Sequence, residues 1–346
     1  MAPDLIAPAT YAPRQRKKRY RYRLRRLTPV GVIVLFACAG GAWVGSHQAS
    51  DPIASAASPR VPTVAAAVPK VAAPKVAAPK VAAPKVAPER LLVGGAVVSH
   101  GFRPGLLGAS AILVNARTGR VVWEQRARER RHVASLTKIM TAMLALQKLR
   151  PHDIVQVDKS VPRVPLVREG LRAGEQVEAW KLMYALLLYS GNDDALALAI
   201  AAGGGKWQFV KEMNAEAKKL GLTGTHFVSP SGVVDADNYS TAWDLAALTR
   251  VAMRNPRFRT IVRTRVKHVA WEAPTYAKIY VNNNRMLGTY RGAIGVKTGY
   301  THKAGPCVVV EATRNGVSLI AVVLDSPDMY IDAKRLLDFG FATLSA

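Results

Sequence analysis

Ser135 and Lys138 stand three residues apart at the head of the apolar stretch VASLTKIMTAMLAL, residues 133–146. Residues three apart on a helix share a face, so the hydroxyl and the amine are neighbours. A serine hydroxyl needs an adjacent base to become a good nucleophile, and a lysine is that base only when its amine is neutral. Burial favours the neutral form. The pair is compatible with an activated serine, although on these few residues alone a helix cap beside a lysine that reaches water is the favoured explanation.

Two more short patterns follow along the chain. Ser-Gly-Asn occupies residues 190–192, in a break between two predicted helices, and Lys-Thr-Gly occupies residues 297–299, on a predicted strand. Each alone is also typical of a turn or a surface strand, but their order and context together favour one active site. A second cation, Lys297, near Lys138 would further favour the neutral amine that Ser135 needs.

With these three patterns in this order, residues 91–346 resemble the low-molecular-mass penicillin-binding proteins that act as D-alanyl-D-alanine carboxypeptidases. That family lies within a wider group of serine acyltransferases that includes the β-lactamases. Residues 228–246 and 282–305, the latter reading NNNRMLGTYRGAIGVKTGYTHKAG, are also similar to it. Two departures are Asn238, where family members often carry histidine, and Val233, where they often carry leucine. The resemblance implies a β-lactamase/transpeptidase-like fold and covalent binding of β-lactam antibiotics.

The resemblance also implies a role for each candidate residue. The implied catalytic residues are Ser135, Lys138 and Ser190, and the implied substrate-binding residues are Asn192, Lys297, Thr298, Gly299 and Tyr300. Ser190 would relay the proton from Lys138 to the leaving amine. Asn192 would hold the peptide bond of the substrate, and the Lys-Thr pair would bind its terminal carboxylate.

The oxyanion hole implied by the resemblance consists of the backbone N–H groups of Ser135 and Tyr300, each typically contributing a few kcal/mol. Gly299 has no side chain, so its strand is expected to lie close against the acyl chain. His132 and His302 flank two of the patterns and are interpreted as partly exposed structural residues. No cofactor is expected.

The elements that must position these residues form an α+β pattern. Strand-like runs lie at 110–125 and, near the C-terminus, at 293–301, 306–313 and 317–325, with Asn315-Gly316 as a strong hairpin signal between the last two. Helical patterns lie between and after them, at 135–148, 177–189, 193–202, 206–219, 240–254 and 331–344. Thr241 and Asp244 are spaced as a capping box. We expect an antiparallel sheet built from both ends of the domain with a helical region inserted.

Everything before residue 91 has a different composition. Residues 1–26 end in the basic block RQRKKRYRYRLRR, and residues 27–45 carry no charge. This predicts a cytoplasmic basic segment and a transmembrane anchor, which places the remainder outside the membrane. The triplet Ala37-Cys38-Ala39 leaves cleavage as a signal peptide open, although an uncleaved anchor is favoured.

Residues 46–90 are rich in proline, alanine and lysine and contain repeats of the sequence KVAAP. Proline at every fifth position disrupts helices and sheets, so these residues are expected to form an extended linker. At ~3.1 Å per residue its last forty residues reach on the order of 100 Å. Residues 91–346 are then the serine peptidase domain.

The net charge of the chain indicates which classes of binding partner to expect. The chain carries 49 Lys and Arg against 23 Asp and Glu, a net charge of +26. Such a balance favours anionic partners, here an acidic cell-wall polymer or a membrane surface, while the absence of zinc-finger or RNA-binding signatures argues against nucleic acid. Cys38 and Cys307 do not suggest a disulfide framework, and no metal-ligand spacing is present, so no metal is predicted.

The expected substrates are peptidoglycan peptides that end in D-Ala-D-Ala, outside the cytoplasm. A β-lactamase would need a glutamate in a loop between the second and third patterns, where only Glu212, Glu216 and Glu272 occur, none in a suitable context. An endopeptidase that cleaves cross-links uses the same acylation step and stays open as an alternative. A non-catalytic penicillin sensor is less compatible with intact Ser135, Lys138 and Lys297.

Overall fold

The structure is a computed structural model that describes residues 104–233, 237–271 and 276–344. The strands are β1 Ser110–Asn115, β2 Val121–Gln125, β3 Arg131–His132, β4 Ile154–Gln156, β5 Gln176–Glu178, β6 Tyr239–Ser240, β7 Val266–Val269, β8 Lys278–Val281, β9 Ala293–Thr301, β10 Gly305–Arg314 and β11 Val317–Leu324. The helices are α1 Lys138–Lys148, α2 Ala179–Tyr184, α3 Asn192–Gly203, α4 Lys206–Lys219, α5 Ala242–Ala252, α6 Pro256–Arg263, α7 Met286–Thr289 and α8 Met329–Leu344. The predicted basic segment, anchor and linker at 1–90 lie outside the described residues.

The main sheet joins the two ends of the domain, as predicted. Its order is β2-β1-β11-β10-β9, and every neighbouring pair is antiparallel. Asn315 and Gly316 both have positive φ, at 47° and 76°, which is the backbone that a tight hairpin between β10 and β11 requires. The helices from α1 to α6 are inserted between β2 and β9, so the α+β prediction is confirmed.

Strand alternation gives this sheet two apolar faces. Ile112, Ile320 and Val322 point to the side covered by the inserted helices, including α5 and α6. Leu113 and Ala321 point to the other side, where α8 packs. A methyl group at Gly340 of α8 would lie 2.5 Å from Leu113, so glycine is needed for this close packing. The predicted C-terminal helix on the sheet is therefore confirmed.

Several predicted helix bounds differ from the observed ones. The helix expected at 135–148 begins with a 3₁₀ turn, Ala134–Thr137, before α1. The one expected at 177–189 begins with β5, which pairs with β4, and ends in a π-helical turn, Ala185–Tyr189. Helix α6 was not predicted at all, although Asn255 caps it and Pro256 opens it. None of the helices in the described ranges is both long enough and apolar enough to span a bilayer.

The capping box predicted for α5 is half confirmed. The Thr241 hydroxyl accepts a hydrogen bond from the backbone N–H of Asp244 at 2.9 Å. The Asp244 carboxylate accepts hydrogen bonds from the Gly224 N–H and the Thr225 hydroxyl, which belong to the preceding loop. The acidic residue therefore fixes a loop to the start of the helix.

Candidate active site

The 3₁₀ turn Ala134–Thr137 presents Ser135 directly before the first turn of α1, where the partial positive charge of the helix N-terminus lies. Ala134 has a φ of 47°, a left-handed backbone that is unusual for alanine. Lys138 is fully buried, and its Nζ lies 2.8 Å from Ser135 Oγ. The predicted contact between the serine and the lysine is therefore present.

Two carbonyl oxygens complete the surroundings of the Lys138 amine. Nζ donates to Asn192 Oδ1 at 2.8 Å and to the Ser231 carbonyl at 3.1 Å. A neutral amine has two N–H donors and one lone pair. Since both oxygens are acceptors only, the lone pair of the neutral amine faces Ser135, whose hydroxyl can then donate to it. This geometry fits a base that accepts the serine proton.

The pKa of Lys138 is lowered well below its usual value, first by burial and then by the charge of Lys297, and it is partly restored by the nearby Asp194 and Asp193. Both lowering effects agree with the sequence-based interpretation. Lys297 is buried as well, and burial alone lowers its pKa to about 7.

The third partner of Lys138, the Ser231 carbonyl, belongs to a loop that Asn238 holds in place. Asn238 Oδ1 accepts hydrogen bonds from the N–H groups of Val228 and Ser229, and its Nδ2 donates to Thr137 Oγ1 at 3.2 Å. Asn238 therefore ties this loop to the start of α1. The departure from the family pattern at this position has a structural role beside Lys138.

The Ser-Gly-Asn segment follows the π-helical turn, in a break between α2 and α3, as predicted. Ser190 has a left-handed backbone, with φ 78° and ψ 33°, and its side chain lines the same groove as Ser135. Within the described ranges, the Ser190 hydroxyl makes no hydrogen bond to Ser135 or Lys138. π-helical turns are often found at functional sites, and here the turn aims Ser190 at the groove.

Asn192 is buried, and both ends of its amide are occupied. Oδ1 accepts from Lys138, and Nδ2 donates to the carbonyls of Pro165 and Leu166 at 3.2 and 2.8 Å. Its backbone N–H donates to the Val167 carbonyl. The loop at 165–171 therefore covers the Asn192 amide, which reaches a substrate only after the loop carbonyls release it. The predicted contact of Asn192 with substrate stays a prediction.

Strand β9 forms the other wall of the site. A methyl group at Gly299 would lie 3.0 Å from the Ser135 nitrogen and 3.0 Å from the Val133 carbonyl oxygen. Glycine thus lets β9 approach the turn that carries Ser135, a contact that sequence reasoning had assigned to the acyl chain of a substrate. Lys297 Nζ donates to the Thr298 carbonyl at 3.0 Å from behind this wall.

A groove of about 580 Å³ runs between these walls. It is lined by five of the predicted residues, Ser135, Ser190, Thr298, Gly299 and Tyr300. It is also lined by residues that sequence analysis did not identify: Val167, Tyr189, Val281, Asn282, Asn283, Arg285, Met329 and Tyr330. The three predicted residues that do not line it, Lys138, Asn192 and Lys297, are buried. His132 is half-buried and His302 is exposed.

A serine in contact with a buried lysine, at the junction of a helix and the edge strand of an antiparallel sheet, is an arrangement suited to a serine enzyme that forms an acyl intermediate. A family model described as D-alanyl-D-alanine carboxypeptidase matches residues 102–328. The chain belongs to this family of serine-type peptidases.

Individual relatives agree with this assignment. A D-alanyl-D-alanine carboxypeptidase of a Streptomyces species is 35% identical over 263 residues, covering 69% of this chain and 89% of that protein. A D-alanyl-D-alanine endopeptidase of Escherichia coli is 33% identical over 68% of this chain and 77% of its own. The crystal structure of a Streptomyces DD-transpeptidase is 34% identical and covers 70% of this chain and 99% of its own, with a TM-score of 0.64. The expected fold is thereby confirmed.

Proposed function

We propose that this protein is a carboxypeptidase that releases the terminal D-alanine of peptidoglycan stem peptides through an acyl-enzyme on Ser135. The contact of 2.8 Å between Lys138 Nζ and Ser135 Oγ, with two carbonyls on the remaining N–H groups, carries this proposal. Lys138 accepts the hydroxyl proton as Ser135 Oγ bonds to the carbonyl carbon of the penultimate residue. The peptide C–N bond then breaks, and the leaving amine takes up a proton.

The other residues have supporting roles in the proposal. Ser190 lines the groove and relays the proton to the leaving amine. The backbone N–H groups of Ser135 and Tyr300 stabilise the developing oxyanion. Lys297 and Thr298 bind the terminal carboxylate, and Asn192 contacts the peptide bond after the loop at 165–171 moves. Water then hydrolyses the Ser135 ester.

The absence of a carboxylate from the groove lining, within the described residues, argues against rapid hydrolysis of a penicillin adduct. Glu212 and Glu216 lie on α4 and pair with Lys148 and Lys219. Glu272 lies outside the described residues. We therefore propose that β-lactams form a long-lived ester on Ser135.

We also propose that residues 1–45 attach the protein to the membrane with its catalytic domain outside the cytoplasm, and that residues 46–90 are the linker. The domain at 91–346 then acts on the surrounding wall. Its basic balance is compatible with an anionic wall polymer as a further partner.

The test is release of D-alanine from a stem peptide that ends in D-Ala-D-Ala, with a cross-linked dimer as parallel substrate because one relative is an endopeptidase. We expect release from the stem peptide by the wild type and none by Ser135→Ala. Intact-mass measurement should show a penicillin adduct on the wild type alone. An adduct that persists on the same peptide of Ser135→Ala would overturn the assignment of the nucleophile. Adduct formation without D-alanine release would indicate a sensor.

A further inference from the structure

A group of buried polar side chains behind the Ser-Gly-Asn segment is not used by the proposed reaction. Asp194 is fully buried, and neither of its carboxyl oxygens has a hydrogen-bond partner. Glu169, Tyr280 and Trp271 are buried close by, and the Tyr280 hydroxyl interacts with the Glu169 carboxylate and the Trp271 indole. A buried carboxyl group for which the described residues supply no partner is rare, so Asp194 calls for an explanation.

The carboxyl groups of Asp193 and Asp194 approach each other around Gly191. A methyl group at Gly191 would lie 1.9 Å from Asp194 Oδ2 and 3.1 Å from Asp193 Oδ1, so both oxygens face the same point. Glycine at this position is therefore required by the two acids. The contact was not foreseen from the sequence, because it joins a loop residue to the first turn of the helix that follows.

The Asp193 carboxylate is surrounded by backbone donors. Its carboxylate accepts hydrogen bonds from the backbone N–H groups of Glu169, Gly170 and Leu171, at 2.8, 2.8 and 3.2 Å. Three N–H donors stabilise a negative charge. Lys278 contacts the Glu169 carboxylate and donates to the Glu169 carbonyl at 2.8 Å. Among residues 104–233, 237–271 and 276–344, no cation and no donor lies in direct contact with the Asp194 carboxyl group.

The surroundings keep a proton on Asp194. Burial first, and then the charges of Asp193 and Glu169, raise the pKa of Asp194 well above its usual value, while the charge of Lys278 opposes the rise. Burial also raises the pKa of Glu169, against the opposing effect of Lys278. An ionised Asp194 would raise the pKa of Lys138, which the proposed reaction needs as a neutral amine. A protonated Asp194 carries no charge that would favour the ammonium form of Lys138, and its O–H group can donate a hydrogen bond.

We propose that Asp194 is a positioning residue which, as a neutral carboxylic acid packed against Gly191, holds the Ser190–Asn192 segment and Lys138 in place. The path from Asp194 to the reaction is short, because Asn192 accepts a hydrogen bond from Lys138 and is followed directly by Asp193. The inference rests on the proposed role of Lys138 as base.

Three variants of the full-length protein test this role, with the rate of acylation by a fluorescent penicillin as readout. Asp194→Ala removes the donor and leaves acceptors unsatisfied, so we expect at least a ~10-fold slower acylation at neutral pH. Asp194→Asn keeps a neutral donor and should restore the rate to within ~3-fold of wild type. Asp332→Asn is the control. Asp332 lies on α8 and is as buried as Asp194, but it accepts hydrogen bonds from Leu107, Gly108 and Ser326. This substitution should lower the melting temperature and leave acylation unchanged.

Two further readouts distinguish positioning from simple stability. The acid limb of the acylation rate, which reports protonation of Lys138, should stay at the same pH in Asp194→Asn. Infrared difference spectra should show the carbonyl stretch of a protonated carboxyl at neutral pH in the wild type and in Asp332→Asn, and not in Asp194→Asn. Because the infrared signal does not depend on turnover, it separates failure of this inference from failure of the proposed function.

Either of two results would overturn the inference. Acylation of Asp194→Ala within twofold of wild type would mean that the site does not depend on this residue. A downward shift of the acid limb in Asp194→Asn would mean that Asp194 is ionised in the wild type, because removing a negative charge lowers the pKa of Lys138.

Discussion

Two lysines are buried in the candidate active site, one from the helical half of the fold and one from the sheet, and the acceptors around their amines differ. Lys138, from the helical half, has three oxygen atoms around its amine, and one of them belongs to Ser135. Lys297, from the sheet, donates only to the carbonyl of the next residue within the described ranges. Burial lowers the pKa of both. The difference shows that burial lowers the affinity of a lysine amine for its proton. The arrangement of acceptors around the amine then decides which lysine can act as a base.

The amines of Lys138 and Lys297 also have distinct electrostatic roles. With a pKa of about 7, Lys297 carries a charge for part of the time near neutral pH. That charge lowers the pKa of Lys138. The sheet therefore supplies the cation that keeps the helical lysine neutral, and the same cation is available to a substrate carboxylate.

The largest effect is expected for Lys138→Arg. A guanidinium keeps the charge and cannot give up its proton at working pH, so the base is lost. Since a general base typically contributes about 10²–10⁴-fold, penicillin acylation should fall by at least ~100-fold. Lys148→Arg, at the opposite and more exposed end of α1, is the matched control and should acylate at the wild-type rate. Acylation of Lys138→Arg within a few-fold of wild type would make Lys138 structural and remove the basis of the comparison.

A smaller effect is expected for Lys297→Gln. Loss of the charge raises the pKa of Lys138, so less neutral amine is present at a given pH. We expect a roughly 10-fold slower acylation at neutral pH and an acid limb displaced to higher pH, since one pKa unit corresponds to about 1.4 kcal/mol. Lys303→Gln, exposed just beyond β9, is the control. An unchanged acid limb in Lys297→Gln would show that the two amines are not coupled.

The buried lysines should also affect stability. Between the folded pKa of Lys297, about 7, and its usual value of 10.5, the unfolded chain binds a proton that the folded chain does not. The free energy of unfolding therefore rises with pH in this window, by up to about 1.4 kcal/mol per pH unit for each such lysine. Urea denaturation should show a shallower rise for Lys297→Met. Equal slopes for the two proteins would mean that Lys297 stays charged when folded.

The free energy of unfolding should be compared below about pH 9, because above this pH ionisation of Cys307 changes stability in the opposite direction. Burial raises the pKa of the Cys307 thiol from 9.0 to about 12. In that higher range the unfolded thiol loses a proton that the folded one keeps, so stability falls as pH rises. The window from about 7 to 9 isolates the lysines.

The sheet and the Ser135–Lys138 pair were predictable because their signals are local. Continuous apolar runs and the Asn315-Gly316 turn specify β10 and β11, and a spacing of three specifies the contact between Ser135 and Lys138. The surroundings of Asn192 were not predictable, because its amide is occupied by carbonyls 26 and 27 residues earlier in the chain. Contacts of this kind depend on how a loop crosses the site and leave no periodic trace in the sequence.

Helix α6 differs, because its start has a local signal in the sequence. Asn255 followed by Pro256 is a standard start for a helix, and Asn255 Oδ1 accepts from Arg257 N–H at 2.9 Å at the start of α6. The role of Gly191 had no local signal, since its glycine requirement comes from the folded positions of two carboxyl groups. The acidic cluster behind the active site is thus visible only in the structure.

The smallest effect on the chemistry is expected when residues 1–90 are removed. The three sequence patterns of the proposed site all lie after residue 91, and the proline and lysine repeats within residues 1–90 are not expected to form a core. A protein that begins at Leu91 should keep the Lys138 and Lys297 environments unchanged and release D-alanine from a small peptide at the wild-type rate. In cells it should lose activity on intact wall, because the linker raises the local concentration of the domain near its substrate.

A matched control separates attachment from the linker sequence. Replacing residues 46–90 with a glycine–serine segment of equal length keeps the anchor and removes the lysines, so it should retain activity on intact wall if reach alone matters. Reduced wall activity in that variant would assign a role to the linker charge, as binding to an anionic polymer requires. If the protein that begins at Leu91 fails to fold or loses peptide turnover, the N-terminal residues contribute to the catalytic domain, and the boundary proposed at residue 91 is wrong.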